Sequence, residues 1–184
     1  MVKRIEYAVR SHADVNLCWK VFTDCEHWNS FVPGTYGSIE WVGEPWAVES
    51  RVRMELLQPV PLKTDCVIIG SSPPNKVGWI NHELENAVEQ WVFFKPHDEG
   101  GTVISIWLEI RGNTQMLMGR DIEQVTREYK ENWYNCLAKK CDELAARSLN
   151  SSAEQAKISG KPSQATKRTR ARSRSVSTQK NHEL

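Results

Sequence analysis

Seven short segments in which apolar and polar residues alternate constrain the fold of this chain most strongly. Residues 51–57 (RVRMELL), for example, place Val52, Met54 and Leu56 on one face and charged residues on the other, as in a strand with one buried face. The seven predicted strands cover residues 5–9, 38–42, 51–57, 63–70, 76–82, 88–95 and 102–111. Most are separated by short turn-forming connections, such as Asp98-Glu99-Gly100-Gly101. The sequence therefore predicts an antiparallel sheet.

Two short helices are predicted between the first two strands. Apolar residues at i, i+3, i+4 and i+7 form one helical face, namely Val15, Cys18, Trp19 and Phe22. Ser11 or Asp14 can cap the start of this helix by accepting a backbone hydrogen bond. The phase changes after Asp24, and we place Trp28 and Phe31 in a second short helix or turn near a cavity.

A long helix is predicted for about residues 115–147. Its apolar stripe recurs at steps of three and four and is interrupted at one lysine: Met118, Ile122, Val125, Tyr129, Trp133, Cys136, Lys140 and Leu144. At about 1.5 Å per residue, such a helix is on the order of 50 Å long, enough to cross a sheet. We expect the sheet to curve around it, with a concave apolar face toward the helix.

Charge divides the chain into two parts near residue 149. Residues 149–184 contain eight Lys or Arg and two Glu, a net charge of +6, whereas the whole chain carries +1 and residues 1–148 therefore carry −5. This segment has few apolar residues with which to offset its ordering entropy. We predict a folded domain over residues 1–148 and a disordered basic tail over residues 149–184.

Composition also excludes several classes of protein. No stretch approaches the ~18 consecutive apolar residues of a transmembrane helix, and the charged N-terminal segment lacks the apolar core of a signal peptide. We therefore expect a cytoplasmic location. The five cysteines are an odd number and contain no CxxC pair, so we predict reduced thiols, no metal site and no cofactor.

The order of elements is one strand, two short helices, six strands and a long helix. Together with the segments VFTDCEHWNSFVPG, IEWVGEPWAVESRVRMEL, PPNKVGWIN and QWVFFKPHDEGGT, this order resembles the SRPBCC or START-like superfamily, close to its polyketide cyclase/dehydrase branch. The resemblance covers residues 2–149. It implies an α+β helix-grip fold: a curved antiparallel sheet of about seven strands around a long C-terminal helix, with two short helices after the first strand.

The resemblance also implies a cavity between sheet and helix that binds lipids, sterols, polyketides or plant hormones. Some members of the superfamily catalyse cyclisation or dehydration, but they share no catalytic motif that could be transferred to residues here. Alternation on the strands and the stripe on the helix suggest which side chains line the cavity. The predicted ligand-binding residues are Trp41, Met54, Trp79, Phe93, Met118, Ile122 and Tyr129.

Three functions remain open from the sequence. The first is intracellular binding of a small hydrophobic ligand of lipid, polyketide or aromatic type. The second is a polyketide cyclase or aromatase-like enzyme, for which the strands offer acid/base candidates: Asp65, His82, Glu83, Glu89 and Glu109. Alternation places Glu109 on the outer face, which argues against its use. The third is a nucleic-acid-associated protein, in which the tail makes weak, non-specific contact with polyanions. A His or carboxylate touching the cavity would favour the enzyme.

Overall fold

The computed structural model describes residues 2–83, 86–113, 116–117 and 119–159. Seven of its strands form one antiparallel sheet, which confirms the predicted sheet. These strands are β1 (Val2–Ser11), β2 (Tyr36–Val42), β3 (Arg51–Leu56), β4 (Leu62–Ser72), β5 (Lys76–Glu83), β6 (Asn86–Pro96) and β7 (Thr102–Gly112). Their order is β1-β7-β6-β5-β4-β3-β2, so β1 and β2 are the edges.

Strand register determines which side chains face the core. In the central pair, Val92 lies opposite Ile106 and Phe94 lies opposite Ile104, and all four are buried. Because successive side chains alternate between the two faces of a strand, the neighbouring Phe93 faces the other side. The inner face packs with the helices in one large hydrophobic cluster.

The two predicted short helices are present between β1 and β2. Helix α1 (Val15–Thr23) is capped by Asp14, whose carboxylate accepts a hydrogen bond from the Leu17 backbone N–H at 2.9 Å. A 3₁₀ helix (Cys25–Ser30) follows directly. Capping satisfies one of the N–H groups that a helix start leaves without a partner. At its other end, α1 stops at Thr23, next to the change of phase after Asp24 in the sequence.

The long helix begins later than predicted. Helix α2 covers Ile122–Ser159, and a small hairpin of β8 (Met116–Leu117) and β9 (Arg120–Asp121) precedes it. Asp121 sets the start, because its carboxylate accepts hydrogen bonds from the backbone N–H groups of Glu123 at 2.8 Å and Gln124 at 3.2 Å. Lys3 on β1 contacts the same carboxylate at 2.6 Å. The start of α2 is thereby attached to the edge of the sheet.

The long helix also ends later than predicted. It continues to Ser159, so residues 149–159, assigned above to a disordered tail, are helical. Among the α2 side chains that the structure describes, Leu144 and Ala145 are the last that pack on the core, and Leu149 is exposed. The remaining tail, residues 160–184, lies outside the described residues.

The buried stripe of α2 differs from the predicted one in its second half. Its buried residues are Ile122, Val125, Trp133, Tyr134, Leu137, Ala138 and Cys141, whereas Cys136 and Lys140 are only half-buried. With 3.6 residues per turn, a stripe drifts by a residue over a few turns. Cys141 thus occupies the core position that the predicted stripe assigned to Lys140, and the apparent interruption disappears.

Candidate functional site

A cavity of about 180 Å³ lies between the inner face of the sheet and the first half of α2. Its apolar walls come from α1, the 3₁₀ helix, the sheet and α2. They include Phe22, Trp28, Met54, Trp79, Leu108 and Trp133. Two separate hydrophobic clusters meet around this space, a large one containing Phe22 and Trp133 and a small one containing Leu108. The cavity is therefore a gap between two packed cores.

The aromatic wall of the cavity is centred on Phe22, a residue of the tryptophan- and phenylalanine-rich segment near the N-terminus. The Phe22 ring is 6.1 Å from that of Trp28, 6.3 Å from that of Trp79 and 6.0 Å from that of Trp133, between ring centroids. Phe22 itself is 1% exposed. Aromatic contacts of this kind hold the rings in fixed orientations, so this wall of the cavity is preorganised.

Three tyrosines place hydroxyl groups at the cavity. The hydroxyls of Tyr36 and Tyr129 are 3.1 Å apart and form one hydrogen bond. The hydroxyl of Tyr134 accepts a hydrogen bond from the side-chain amide of Gln90 at 2.7 Å. Burial raises the pKa of Tyr129 to about 12, and it raises the pKa values of Tyr36 and Tyr134 well above that of an ordinary tyrosine. All three phenols are therefore protonated at neutral pH. Tyr134 and one hydroxyl of the Tyr36–Tyr129 pair can donate to a ligand, because the other hydroxyl of the pair donates within it.

A second polar group lies on β4 and β5. The Asn81 side-chain amide donates a hydrogen bond to the Thr64 hydroxyl at 2.8 Å, and the Thr64 hydroxyl is 3.5 Å from the thiol of Cys66. All three residues line the cavity. This wall is polar but uncharged.

Lys130 is the one charged residue among the described side chains that line the cavity. No ion pair or hydrogen bond of Lys130 with another described residue is found, and its Nζ lies 5.4 Å from the centre of the Tyr129 ring. Desolvation lowers the pKa of Lys130 to about 8, and the Cys66 thiol acts in the opposite direction. An amine in an apolar site without a carboxylate loses much of the stabilisation that water gives its charged form.

Trp133 adds a hydrogen-bond donor to the same cavity. Its side chain lines the space, and its buried indole N–H lies near the Tyr36 hydroxyl without making a hydrogen bond of regular geometry to the described residues. A buried N–H without a well-placed acceptor is unfavourable and is commonly satisfied by water or a ligand.

The cavity is partly open to solvent, and its candidate entrance lies between the β3–β4 connection and the start of α2. A surface depression shares four residues with the cavity: Pro59, Val125, Tyr129 and Trp133. Pro59 belongs to the β3–β4 connection, and the other three belong to α2. A ligand can therefore reach the cavity along this side of α2.

The structure brings together three of the seven residues predicted to bind a ligand. Met54, Trp79 and Tyr129 line the cavity, whereas Trp41, Phe93 and Ile122 do not. Met118 lies outside the described residues. Whether any of these residues contacts a ligand stays a prediction.

The three residues that do not line the cavity lie elsewhere for different physical reasons. Phe93 faces outward and stacks on Trp91, with ring centroids 6.4 Å apart, because its strand is apolar on both faces. Trp41 faces inward but packs on Trp46 at 5.0 Å. Ile122 is buried in the small cluster with Ile5, one turn before the part of α2 that lines the cavity.

Several cavity residues were not predicted, and Lys130 is the most important of them. Residues 125, 126, 129, 130, 133 and 134 of α2 line the cavity, a pattern of adjacent pairs repeating every four residues. A search for single stripe positions finds Tyr129 but not its partner Lys130. Counting pairs at i, i+1, i+4 and i+5 would have found the lysine.

The three acid/base candidates whose side chains are described, Asp65, Glu89 and Glu109, do not line the cavity. Glu109 faces outward, where Arg4 at 2.9 Å and Arg111 lower the pKa of its carboxyl group. Glu89 pairs with Arg111 at 3.0 Å, and Asp65 lies 3.5 Å from Arg51. The side chains of His82 and Glu83 lie outside the described part of the structure. The described lining contains no histidine and no carboxylate.

The described residues provide neither a metal-binding group nor a membrane-spanning helix. The described side chains contain no group of three or more His, Cys, Asp or Glu that could hold a metal ion. Over the same described residues, no helix combines the length and the apolar character needed to cross a bilayer.

Comparison with solved structures identifies the fold. Norcoclaurine synthase from Thalictrum flavum, in complex with dopamine and hydroxybenzaldehyde, aligns with a TM-score of 0.62 and 15% identity over 78% of this chain and 88% of that chain. A START superfamily protein from Mycobacterium smegmatis aligns with a TM-score of 0.61 and 11% identity over 77% of this chain and 98% of its own. This chain has a START-like fold. No protein-family profile and no curated protein sequence matches it.

A third structure supports the same assignment. The major latex-like protein 151 from Panax ginseng aligns with a TM-score of 0.62 and 11% identity, over 76% of this chain and 97% of that chain. The START-like, helix-grip arrangement predicted from the order of elements is therefore confirmed. Identities this low establish the fold and carry no residue roles.

Proposed function

We propose that this protein binds a compact, mostly apolar ligand that carries an oxygen acceptor, in the cavity between the sheet and α2. The observation that carries this proposal is the composition of the cavity wall: aromatic and aliphatic side chains surround one unpaired cation, Lys130. Ligand sites typically combine an apolar lining with a few placed polar groups. A cavity without a ligand-binding role is more commonly filled by side chains.

The size of the cavity limits the ligand. An engineered protein cavity of about 150 Å³ is known to accept benzene, and the cavity here measures about 180 Å³. A ligand with one ring, or a short branched chain, therefore fits inside, and a larger molecule must extend through the opening beside Pro59. Hydroxybenzaldehyde, which norcoclaurine synthase holds, belongs to this size class.

The polar groups indicate the chemistry of the ligand. Lys130, Trp133 and the Tyr36–Tyr129 pair bring hydrogen-bond donors to a cavity whose described lining contains no carboxylate. A ligand carboxylate or carbonyl oxygen accepts such hydrogen bonds, whereas a ligand amine leaves the donors without partners. We therefore expect acids and carbonyl compounds to bind in preference to amines.

Three small molecules with the same ring test this preference. Benzoate, benzyl alcohol and benzylamine differ in charge and not in ring size, and the quenching of tryptophan fluorescence reports binding because Trp28, Trp79 and Trp133 line the cavity. We expect benzoate to bind at least about tenfold more tightly than benzylamine, a difference of about 1.4 kcal/mol. Equal affinities, or tighter binding of benzylamine, would contradict the proposal.

Substitutions locate the binding. Val88→Phe adds a ring beside the cavity and should abolish benzoate quenching, while Val42→Phe on the exposed part of β2 should leave it unchanged. Lys130→Met should weaken benzoate and not benzyl alcohol, with Lys139→Met on the exposed side of α2 as the matched control. Thermal unfolding of each variant verifies that it folds. Unchanged benzoate binding by folded Val88→Phe protein would place the site elsewhere.

Ligand binding accounts for the cavity better than the cyclase alternative does. General acid/base catalysis needs a positioned histidine or carboxylate, and the described lining has neither. A cytoplasmic location remains part of the proposal, and it is supported by the lack of any disulfide among the five cysteines.

A further inference from the structure

Lys130 differs from every other described residue at the cavity, because it carries a nucleophilic amine. It projects from α2 among tyrosines, tryptophans and leucines. An ordinary lysine at a protein surface is solvated and protonated, whereas this side chain is half-buried and its Nζ lies 5.4 Å from the centre of the Tyr129 ring. The position therefore combines a nucleophile with a partly open, mostly apolar cavity.

We propose that Lys130 captures an aldehyde or ketone ligand as a reversible imine. This inference rests on the proposed function, since it assigns a carbonyl compound as the ligand of the same cavity and a covalent bond as the means of holding it. Desolvated lysines in hydrophobic pockets are the usual source of protein imines with carbonyl compounds.

The protonation state of the amine supports this chemistry. Only the neutral amine has a free electron pair, and burial holds the pKa of Lys130 at about 8. At pH 7, about one Lys130 side chain in ten is then neutral, compared with fewer than about one in a thousand for a solvated lysine. No carboxylate lines the described part of the cavity to favour the ammonium form.

The reaction needs no oxidant or reductant. The nitrogen electron pair of Lys130 attacks the carbonyl carbon, and the carbonyl oxygen takes up a proton to give a carbinolamine. The nitrogen loses one proton, the hydroxyl group takes up a proton and leaves as water while the nitrogen electron pair forms the C=N bond, and the resulting iminium ion loses the second N–H proton to give the imine. One molecule of water is released for each imine formed.

The tyrosine pair supplies the proton donor. The Tyr36 and Tyr129 hydroxyls are joined at 3.1 Å in the same cavity. Both have a pKa raised by burial, so the pair holds its protons at the pH at which the amine becomes neutral. It can donate to the departing oxygen and regain the proton from the nitrogen.

Reductive trapping of the full-length protein tests the imine. The protein is mixed with benzaldehyde and sodium cyanoborohydride, which reduces an imine to a stable secondary amine, and the modified lysine is located by peptide mass spectrometry. We expect one benzyl group per chain, at Lys130, with excess benzoate slowing the modification at least tenfold. Raising the pH from 6 to 8 should accelerate labelling at Lys130 more than at Lys139.

Two variants guard against a trivial result. Lys130→Met protein should acquire no dominant benzyl group, and Val88→Phe protein, which retains the lysine but fills the cavity, should label Lys130 no faster than Lys139. If Lys130→Met does not fold, the benzoate competition on the unaltered protein still tests the inference. Labelling of Lys130 that benzoate does not slow would overturn it.

The outcomes separate this inference from the proposed function. Benzoate binding without preferential labelling of Lys130 would overturn the imine and leave ligand binding intact. A lack of both benzoate binding and preferential labelling would overturn both. Selective labelling that benzoate and Val88→Phe each suppress would establish both.

Discussion

At the scale of single residues, Lys130 links the cavity to the stability of the protein. Its pKa is about 8 in the folded protein and 10.5 for an ordinary lysine. Between these values the unfolded chain binds more protons than the folded protein, so the free energy of unfolding rises with pH across this window. Below pH 8 the folded protein contains a partly desolvated charge. The difference between the two pKa values corresponds to about 3 kcal/mol, and the half-buried position of the side chain reduces the loss of stability to on the order of 2 kcal/mol.

Replacing this lysine by methionine should therefore stabilise the protein. We expect Lys130→Met to increase the free energy of unfolding at pH 7 by about 1–2 kcal/mol and to remove the rise between pH 8 and pH 10. Urea denaturation at pH 7, pH 8 and pH 10 measures both effects. Lys139→Met, on the exposed side of α2, is the control and should change neither. A loss of stability at pH 7 would mean that the ammonium group has a favourable partner.

At the scale of elements, α2 shows how a helix boundary depends on a residue outside the helical pattern. Its apolar periodicity extends back to Met118, but Asp121 begins the helix by capping its first turn. The contact of Lys3 with Asp121 joins this turn to β1. Because Lys3 is distant in the sequence, periodicity cannot reveal the contact.

Substitutions at Asp121 separate capping from ion pairing. Asp121→Ala removes both interactions and should lower the free energy of unfolding by about 1–2 kcal/mol. Asp121→Asn retains the cap and loses the charge, so its loss should be smaller than that of Asp121→Ala. The loss for Asp121→Asn should also shrink in high salt, because salt weakens the Lys3–Asp121 ion pair of the unaltered protein. Urea denaturation in low and high salt measures these values. Equal losses for the two variants would show that the cap contributes nothing.

At the scale of the whole molecule, the domain boundary predicted at residue 148 can be tested by truncation. The last core contacts among the described α2 side chains involve Leu144 and Ala145, whereas the helix continues to Ser159. We expect a chain truncated after Ser148 to keep the stability of the full chain within about 0.5 kcal/mol, because it retains all of these described core contacts. Thermal unfolding and limited proteolysis check this expectation. Loss of cooperative unfolding would show that the C-terminal segment belongs to the domain.

The same truncation tests the basic tail. Eight Lys or Arg residues lie after residue 148, and contacts of lysine and arginine with phosphates weaken steeply with salt. The full chain should be retained weakly on heparin or DNA at low salt and released at moderate salt, whereas the truncated chain should not be retained. Sequence-selective binding that persists in high salt would contradict this prediction.

Much of the architecture could be predicted from local patterns. Alternation located all seven sheet strands to within a few residues at each end, because one face of each strand must be buried. Turn residues such as Gly100 and Gly101, both with positive φ, located the hairpins. For strands with two apolar faces, the sequence does not show which face of the sheet is buried, because alternation is then absent. The inward or outward direction of Phe93 could therefore not be predicted.

The sequence by itself determined the elements, their order and the apolar character of the space between them, because these follow from periodicity and turn chemistry. Only the tertiary structure decided which side chains reach the cavity. The inward direction of Trp41 does not place it at the site, and Lys130 reaches it from the edge of a helical stripe. Such placement depends on packing between segments far apart in the chain, and that packing also sets the pKa of the lysine by removing water from it.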